Sequence, residues 1–260
     1  MTTVADIEKF LFAWAPKDTA EEWDNVGLLV GNPSAEVRRV TVALDVTEAV
    51  IDEAISNGSE LIVAHHPLMN CKWQEVQSVR SDGFIGKKLI KSVENHISVI
   101  CMHTNLDAAE GGVNDCLAAA VGLSDVRHAE GDNIVRIGTI LQEKTLAEYL
   151  PLVLKSLGVS GLRYRDGGRS VHRVAVGGGA CGYFIEAAKE QGCDTFITSD
   201  LKYNQFLDTE ALNLIDAGHF PTEDVVCAEV VRRLASAFPA LTIRKSAVHT
   251  DAVEYYTKEN

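Results

Sequence analysis

Along this chain, short apolar runs bounded by turn residues alternate with segments whose apolar positions recur every three to four residues, the pattern of strands feeding helices. Residues 2–14 predict a short helix, and the β-branched run VRRVTVAL (37–44) predicts a strand. TEAVIDEAISNG (47–58) predicts a helix with Thr47 as N-cap and Gly58 as its stop, and ELIVA follows as a second strand. Strand, helix and strand in this order form a βαβ unit, which implies a parallel pair of strands with helices on the faces of the sheet. A helix around 85–95 and a strand at ISVICMH (97–103) extend the pattern, so the fold class is α/β.

The second half repeats the arrangement. RVTVALDVTEAVIDEAISNGSELIVAHH (39–66) lies over RVAVGGGACGYFIEAAKEQGCDTFITSD (173–200) without a gap, pairing Arg39 with Arg173, Ile51 with Ile185 and Gly58 with Gly192. The same placement sets His65 and His66 over Ser199 and Asp200. Two unrelated βαβ units could share this much; a duplicated unit would deliver polar residues from both copies to one shared cleft. EKTLAEYLPLVLKSLG (143–158) predicts an amphipathic helix and RYRDGGRSVHR a turn-rich join. A boundary near 127–140 is expected, giving a first α/β part at 1–130 and a second at 131–260.

Composition narrows the function classes. At 260 residues and 46% apolar the chain can bury one large core or two modest ones. A net charge of −13 excludes a broad phosphate-binding surface, so nucleic acid is not an expected partner and an anionic substrate has to be attracted locally. The opening residues carry acids where a secretory signal needs a basic start, and no apolar stretch reaches the roughly 20 residues that cross a bilayer. A cytoplasmic protein is expected. The cysteines at 71, 101, 116, 181, 193 and 227 form no CxxC pair, so they are read as reduced and mostly buried.

Ligands of open parallel sheets collect at the carboxyl ends of strands, and three segments place metal-type side chains there. LIVAHHPLM carries His65 and His66; HTNLDAAEGG carries His103 and Asp107; LIDAGHFPTEDVV carries His219 and Glu223. Each has an ordinary reading: adjacent strand histidines point in opposite directions, His103 can cap a strand end, and Thr222 with acids after a proline is normal helix-start chemistry. Recurrence at three strand ends favours a metal site. The mixed nitrogen and oxygen donors suit Zn, Mn, Fe, Co or Ni and are wrong for a thiolate site.

The blocks EEWDNVGLLVG (21–31), LDVTEAVIDEAI, AHHPLM, HTNLDAAEGGVND and LIDAGHFPTE stand in an order that resembles the dinuclear metal-binding Nif-three-like family, also called type 2 GTP cyclohydrolase I. The resemblance implies two related α/β lobes facing each other across a metal-containing cleft, in a ring-shaped homo-oligomer, commonly a hexamer. It implies two divalent ions per subunit on His65, His66, Asp107, His219 and Glu223, with the glutamate as bridge. His103, one turn from Asp107, is then placed to handle a proton rather than to bind an ion, and is the candidate catalytic residue.

The chain departs from the family at TSDLKYN (198–204), where relatives usually carry a Gly between Thr and Asp and often a His in place of Asn204. Asp200 and Lys202 are retained and are candidate substrate contacts, Lys202 for a phosphate. VAVGGGACG also satisfies the G-x-G-x-x-G pattern of dinucleotide binding, but the matching segment of the first half lacks glycines, so close backbone approach is the better reading. Two functions follow: a metal-dependent hydrolase acting on a nucleotide or other phosphorylated small molecule, including opening of the GTP guanine ring, or a non-catalytic metal-dependent binding or regulatory protein.

Overall fold

The structure, a computed structural model, describes residues 1–70 and 75–256, so Cys71 lies outside the described residues. In chain order the strands are β1 (Gly27–Val30), β2 (Arg39–Ala43), β3 (Leu61–Ala64), β4 (Ser98–Cys101), β5 (Ser124–His128), β6 (Arg136–Lys144), β7 (Arg163–Arg165), β8 (Val171–Val176), β9 (Thr195–Thr198), β10 (Asn213–Asp216) and β11 (Thr242–Lys245). The helices are α1 (Val4–Trp14), α2 (Glu48–Asn57), α3 (Phe84–Glu94), α4 (Thr104–Ala108), α5 (Val113–Ala120), α6 (Leu146–Leu157), α7 (Ile185–Glu190), α8 (Tyr203–Asp208), α9 (His219–Glu223) and α10 (Val225–Ala237). Residues 1–110 and 227–250 form one compact unit, and 111–226 with 251–260 form another.

The first unit is built on a five-stranded sheet of order β1-β4-β3-β2-β11. Strands β11, β2, β3 and β4 run parallel, and β1 closes the edge antiparallel to β4. β3 and β4 are buried along their whole length, as strands covered on both faces must be, which explains why LIVA and SVIC read as unbroken apolar runs. Thr47 caps α2 by accepting from the Val50 amide, and Gly58 ends it in a left-handed conformation (φ 66°), as the sequence predicts. The buried face of α2, Val50, Ile51 and Ala54, packs into a core with Ile62, Leu89 and Val99.

The second unit carries a six-stranded sheet of order β5-β6-β8-β9-β10-β7. Alternation along its parallel strands feeds two cores. Val174, Val176, Ile197 and Ile215 pack with Tyr149 and Val153 of α6; Ala175, Phe196 and Leu214 pack with Phe184 and Ile185.

The two units share one internal framework, residue for residue. Val40 opposes Leu61 and Thr41 opposes Ile62; in the second unit Val174 opposes Thr195 and Ala175 opposes Phe196, the pairs that the gapless overlay of 39–66 on 173–200 matches. Glu60 accepts hydrogen bonds from the Arg38 and Arg39 amides, and Asp194 does the same for His172 and Arg173. In each unit a third parallel strand follows, β4 or β10, then a five-residue helix, α4 or α9, and an antiparallel strand closes that edge.

Three places differ from the sequence expectation. Residues 127–140 are not a boundary: β5 and β6 pair antiparallel there within the second sheet. RYR, read as a turn-rich join, is strand β7, an exposed polar edge paired antiparallel with β10. The units are also not consecutive stretches divided at 130. The chain passes back to the first within α10, and β11 adds to its sheet beside β2. No helix among the described residues is long and apolar enough to cross a membrane.

Candidate metal centre

In the first unit, three histidines come together where β3 and β4 end. The amides of His65 and His66 both donate to the Leu44 carbonyl past the end of β2 (3.1 and 2.9 Å), which turns the chain as it leaves the sheet and brings both rings to one side. His65 is buried, and its Nδ1 lies 2.8 Å from the Met102 carbonyl oxygen. A carbonyl only accepts, so Nδ1 carries the proton and Nε2 the lone pair. His66 Nδ1 is 2.8 Å from Asp45 Oδ1, and His103 Nδ1 is 2.9 Å from Asp24 Oδ1. Ring centroids stand 5.0–5.6 Å apart among the three, and one ligand atom from each lies within 4.8 Å of the others, a separation that one ion can span. Asp107 on α4, also buried, sets Oδ1 3.6 Å from His65 Nε2.

The two carboxylates behind these rings are held ionised. Burial by itself would raise Asp24, but hydrogen bonds from His103 and from the Thr104 hydroxyl and amide, with the imidazole's charge, bring it down to about 2. Burial likewise opposes ionisation of Asp45, and the contacts with His249 and His66 outweigh it, placing that carboxyl well below the usual range. Ionised carboxylates accept, so His66 and His103 also carry the proton on Nδ1 and keep Nε2 as a donor atom.

In the second unit, α9 carries His219 and Glu223 one turn apart, with Nε2 and Oε2 3.1 Å from each other. Asp200 Oδ2 holds His219 Nδ1 at 2.7 Å. Desolvation would lower this imidazole; the bonds to Asp200 and Glu223 and their charges prevail and push it up to about 11. Asp200 is itself lowered by the His219 contact, against partial burial, and adopts a left-handed backbone (φ 55°) that an L side chain rarely takes without an opposing constraint. Gly179 (φ 61°) passes so close to α9 that a Cβ there would sit 2.2 Å from Glu223 Oε1. The glycine run therefore gives room to a carboxylate. The amides of Gly178, Gly179 and Cys181 are spent inside the unit, on Asn114, Thr222 and Thr198, rather than turned outward to a pyrophosphate.

Of the residues picked out in the sequence, the structure brings His65, His66, His103 and Asp107 together in the first unit, and Asp200, His219 and Glu223 together in the second. Lys202 is exposed, two residues after Asp200, and its amide starts α8 by donating to Gln205. Sequence reasoning missed Asp24 and Asp45, which bond the His103 and His66 rings from 79 and 21 residues away along the chain, and His249, which bonds Asp45 from 204 residues away. Asp24 lay inside the EEWDNVG block, a signal that could have found it; His249 had none. Among the described residues the cysteines form no disulfide, and all but Cys116 are buried, as expected.

A family model described as Duf34/NIF3 (NGG1p interacting factor 3) matches residues 2–252. A "GTP cyclohydrolase 1 type 2 homolog" of Clostridium acetobutylicum is 36% identical over 230 residues, covering 85% of each chain. One of the same name from Clostridium perfringens is 34% identical over 238 residues, covering 88% of this chain and 90% of its own. Among solved structures, a hypothetical protein of Staphylococcus aureus superposes with a TM-score of 0.91 at 27% identity, covering 98% of this chain and 99% of its own.

Proposed function

Because this chain belongs to the Duf34/NIF3 family, we propose that His65, His66, Asp107, His219 and Glu223 hold two divalent transition-metal ions, of Zn, Mn, Fe, Co or Ni. The observation that carries the reading is the state of the imidazoles. His65, His66 and His103 each commit Nδ1 to an oxygen, on Met102, Asp45 and Asp24 respectively, which puts the proton on that nitrogen, and His219 commits Nδ1 to Asp200 and Nε2 to Glu223, a pair from which an ion would displace the Nε2 proton. Borderline nitrogen with hard carboxylate oxygen fits those metals.

Bound ions supply Lewis-acid polarisation and bring the ionisation of water toward neutral pH. The protein's own part is to fix the donors and to move a proton. Glu223, buried beside Gly179, is the candidate bridge. His103, backed by Asp24, keeps a lone pair on Nε2 that can accept a proton, the catalytic role proposed for it. Asp200 supports His219, and Lys202 is placed on substrate phosphate by its charge. The reaction proposed is hydrolysis of a nucleotide or related phosphorylated small molecule by a cytoplasmic, ring-shaped homohexamer. The name carried by the relatives points to GTP as the first substrate to try.

The deciding experiment loads purified protein with Co²⁺, Mn²⁺ or Zn²⁺ and presents a panel of nucleotides and phosphoesters. Product release that is lost in His65→Ala supports a hydrolase. Retention of about two ions per chain without turnover supports the metal-dependent binding protein instead. Failure to retain ions after reloading overturns both. Light scattering on the eluted peak gives the subunit number.

A further inference from the structure

The last residues of the first unit reach back to the histidine pair. After β11, the Ser246 amide donates to the Val42 carbonyl (2.7 Å), the Ala247 amide donates to Glu53 Oε1 (2.9 Å), and the Ser246 hydroxyl bonds the other oxygen of Glu53. This double hold on α2 sets the direction of the chain, and His249 follows with its amide on Ser246 Oγ (3.2 Å). The His249 side chain is only 8% exposed, and its Nε2 stands 3.0 Å from Asp45 Oδ2 and 3.1 Å from the Asp45 amide; the ionised carboxylate only accepts, so His249 with its proton on Nε2 makes the Oδ2 bond, whereas the other tautomer would accept the amide N–H instead. The other oxygen of the same carboxylate, Oδ1, holds His66 Nδ1 at 2.8 Å.

We propose that His249 is a positioning residue for His66, acting through Asp45. The inference rests on the metal-binding reading above for its consequence, but not for its geometry. Asp45 is partly exposed on the turn after β2, where a carboxylate held on one side alone would rotate toward water. With His249 on Oδ2 both oxygens are engaged, the carboxylate plane is fixed, and the acceptor for His66 Nδ1–H stays in place. That keeps the His66 proton on Nδ1 and its Nε2 lone pair pointing away from Asp45, the arrangement an imidazole ligand needs. The C-terminal segment, which carries none of the motifs of the site, thereby becomes part of it.

The segment is tied by Ser246, Ala247 and Glu53 independently of the imidazole, so His249→Ala is expected to fold. Two readouts on the full chain test the idea. In metal-free protein, long-range ¹H–¹⁵N spectra, assigned with His66→Gln, report where the His66 proton sits. In parallel, chelator competition measures Co²⁺ affinity. His249→Ala is expected to spread the His66 proton over both nitrogens and to weaken one Co²⁺ by about tenfold or more, the usual cost of losing support behind a metal ligand. His249→Gln, whose amide can donate to Asp45 Oδ2, is expected to recover most of both. An unchanged His66 tautomer with unchanged Co²⁺ affinity in His249→Ala overturns the proposal; so does a loss that His249→Gln does not restore. Should the parent protein bind no Co²⁺, the metal reading fails by itself while the tautomer measurement still decides the role of His249.

Discussion

Replacing Asp24 by Asn exchanges one oxygen for an NH₂ group and should reverse the proton on His103. In the parent protein Asp24 Oδ2 takes the Thr104 amide (3.0 Å) and hydroxyl (2.6 Å), and Oδ1 faces His103 Nδ1 (2.9 Å). The Thr104 amide can only donate to Oδ2 and the Asn25 amide only to Oδ1 (2.8 Å), so an Asn sets its NH₂ against one of them, and an Asn that turns its NH₂ toward the imidazole gives up the Asn25 bond and has His103 as its acceptor. Retaining the His103 proton on Nδ1 would then set donor against donor, leave both unsatisfied and forfeit the bond that the other tautomer makes to the amide, together about 1.5–3 kcal/mol. At about 1.4 kcal/mol per tenfold, the form with the proton on Nε2 should exceed about nine molecules in ten. A proton on Nε2 removes the lone pair that the proposed proton-handling role requires, so any turnover should collapse while the fold persists. The assay is the ring ¹⁵N spectrum of metal-free protein, assigned with His103→Gln, beside a thermal melt. The reasoning is refuted if Asp24→Asn leaves the His103 proton on Nδ1, or if the parent already carries it on Nε2.

Further outcomes follow from the two donor groups. Glu223→Gln should lower the ion content by elemental analysis to about one or fewer, and Asp107→Asn to between one and two, because only a bridge screens two cations less than about 4 Å apart; equal content in both variants would show that Glu223 is not the bridge. Gly179→Ala, at φ 61° and 2.2 Å from Glu223 Oε1, should cost about 1–2 kcal/mol from the left-handed backbone alone and loosen ion retention, so an unchanged melt and metal content would refute the close approach. His219, with a folded pKa of about 11 above its ordinary 6.5, stabilises metal-free protein fully below about 6.5 and loses that contribution as pH rises through about 11. Melts of stripped protein should decline across this window, and calorimetry in buffers of different ionisation enthalpy should detect proton release as Co²⁺ binds near neutral pH. Lys202→Ala should weaken phosphate binding and spare the ions, and lost metal would contradict its placement.

Much of this was legible in the sequence for physical reasons that can be named. Strands buried on both faces have to be continuous apolar runs, so LIVA and SVIC marked themselves, and with them the points where the chain leaves the sheet at His65 and His103. Thr47 and Gly58 fixed α2 because caps are local chemistry. The overlay of 39–66 on 173–200 was visible because the same register requires the same spacing. Elements that escaped are those whose partners lie far off: β7, polar and exposed on an edge, earns its conformation only from β10, and β5, mostly exposed, only from β6. The orienting groups escaped likewise. Asp24, Asp45 and His249 are ordinary turn and tail residues until the fold sets them behind an imidazole, and no periodicity reports a contact 204 residues long.

That long reach sets an order of events during synthesis. Strand β2 emerges early, yet its neighbour β11 arrives only after residues 111–226, which carry every strand of the second sheet, have been made. Through that interval the nascent first sheet carries an open edge at β2, the kind of edge that invites pairing with another chain. Asp45 waits as well, holding His66 with one oxygen until His249 takes the other. Folding of the second unit should therefore run ahead of completion of the first, and a ribosome-bound chain stopped before residue 242 should show a mature second sheet beside a first one still lacking its outer strand.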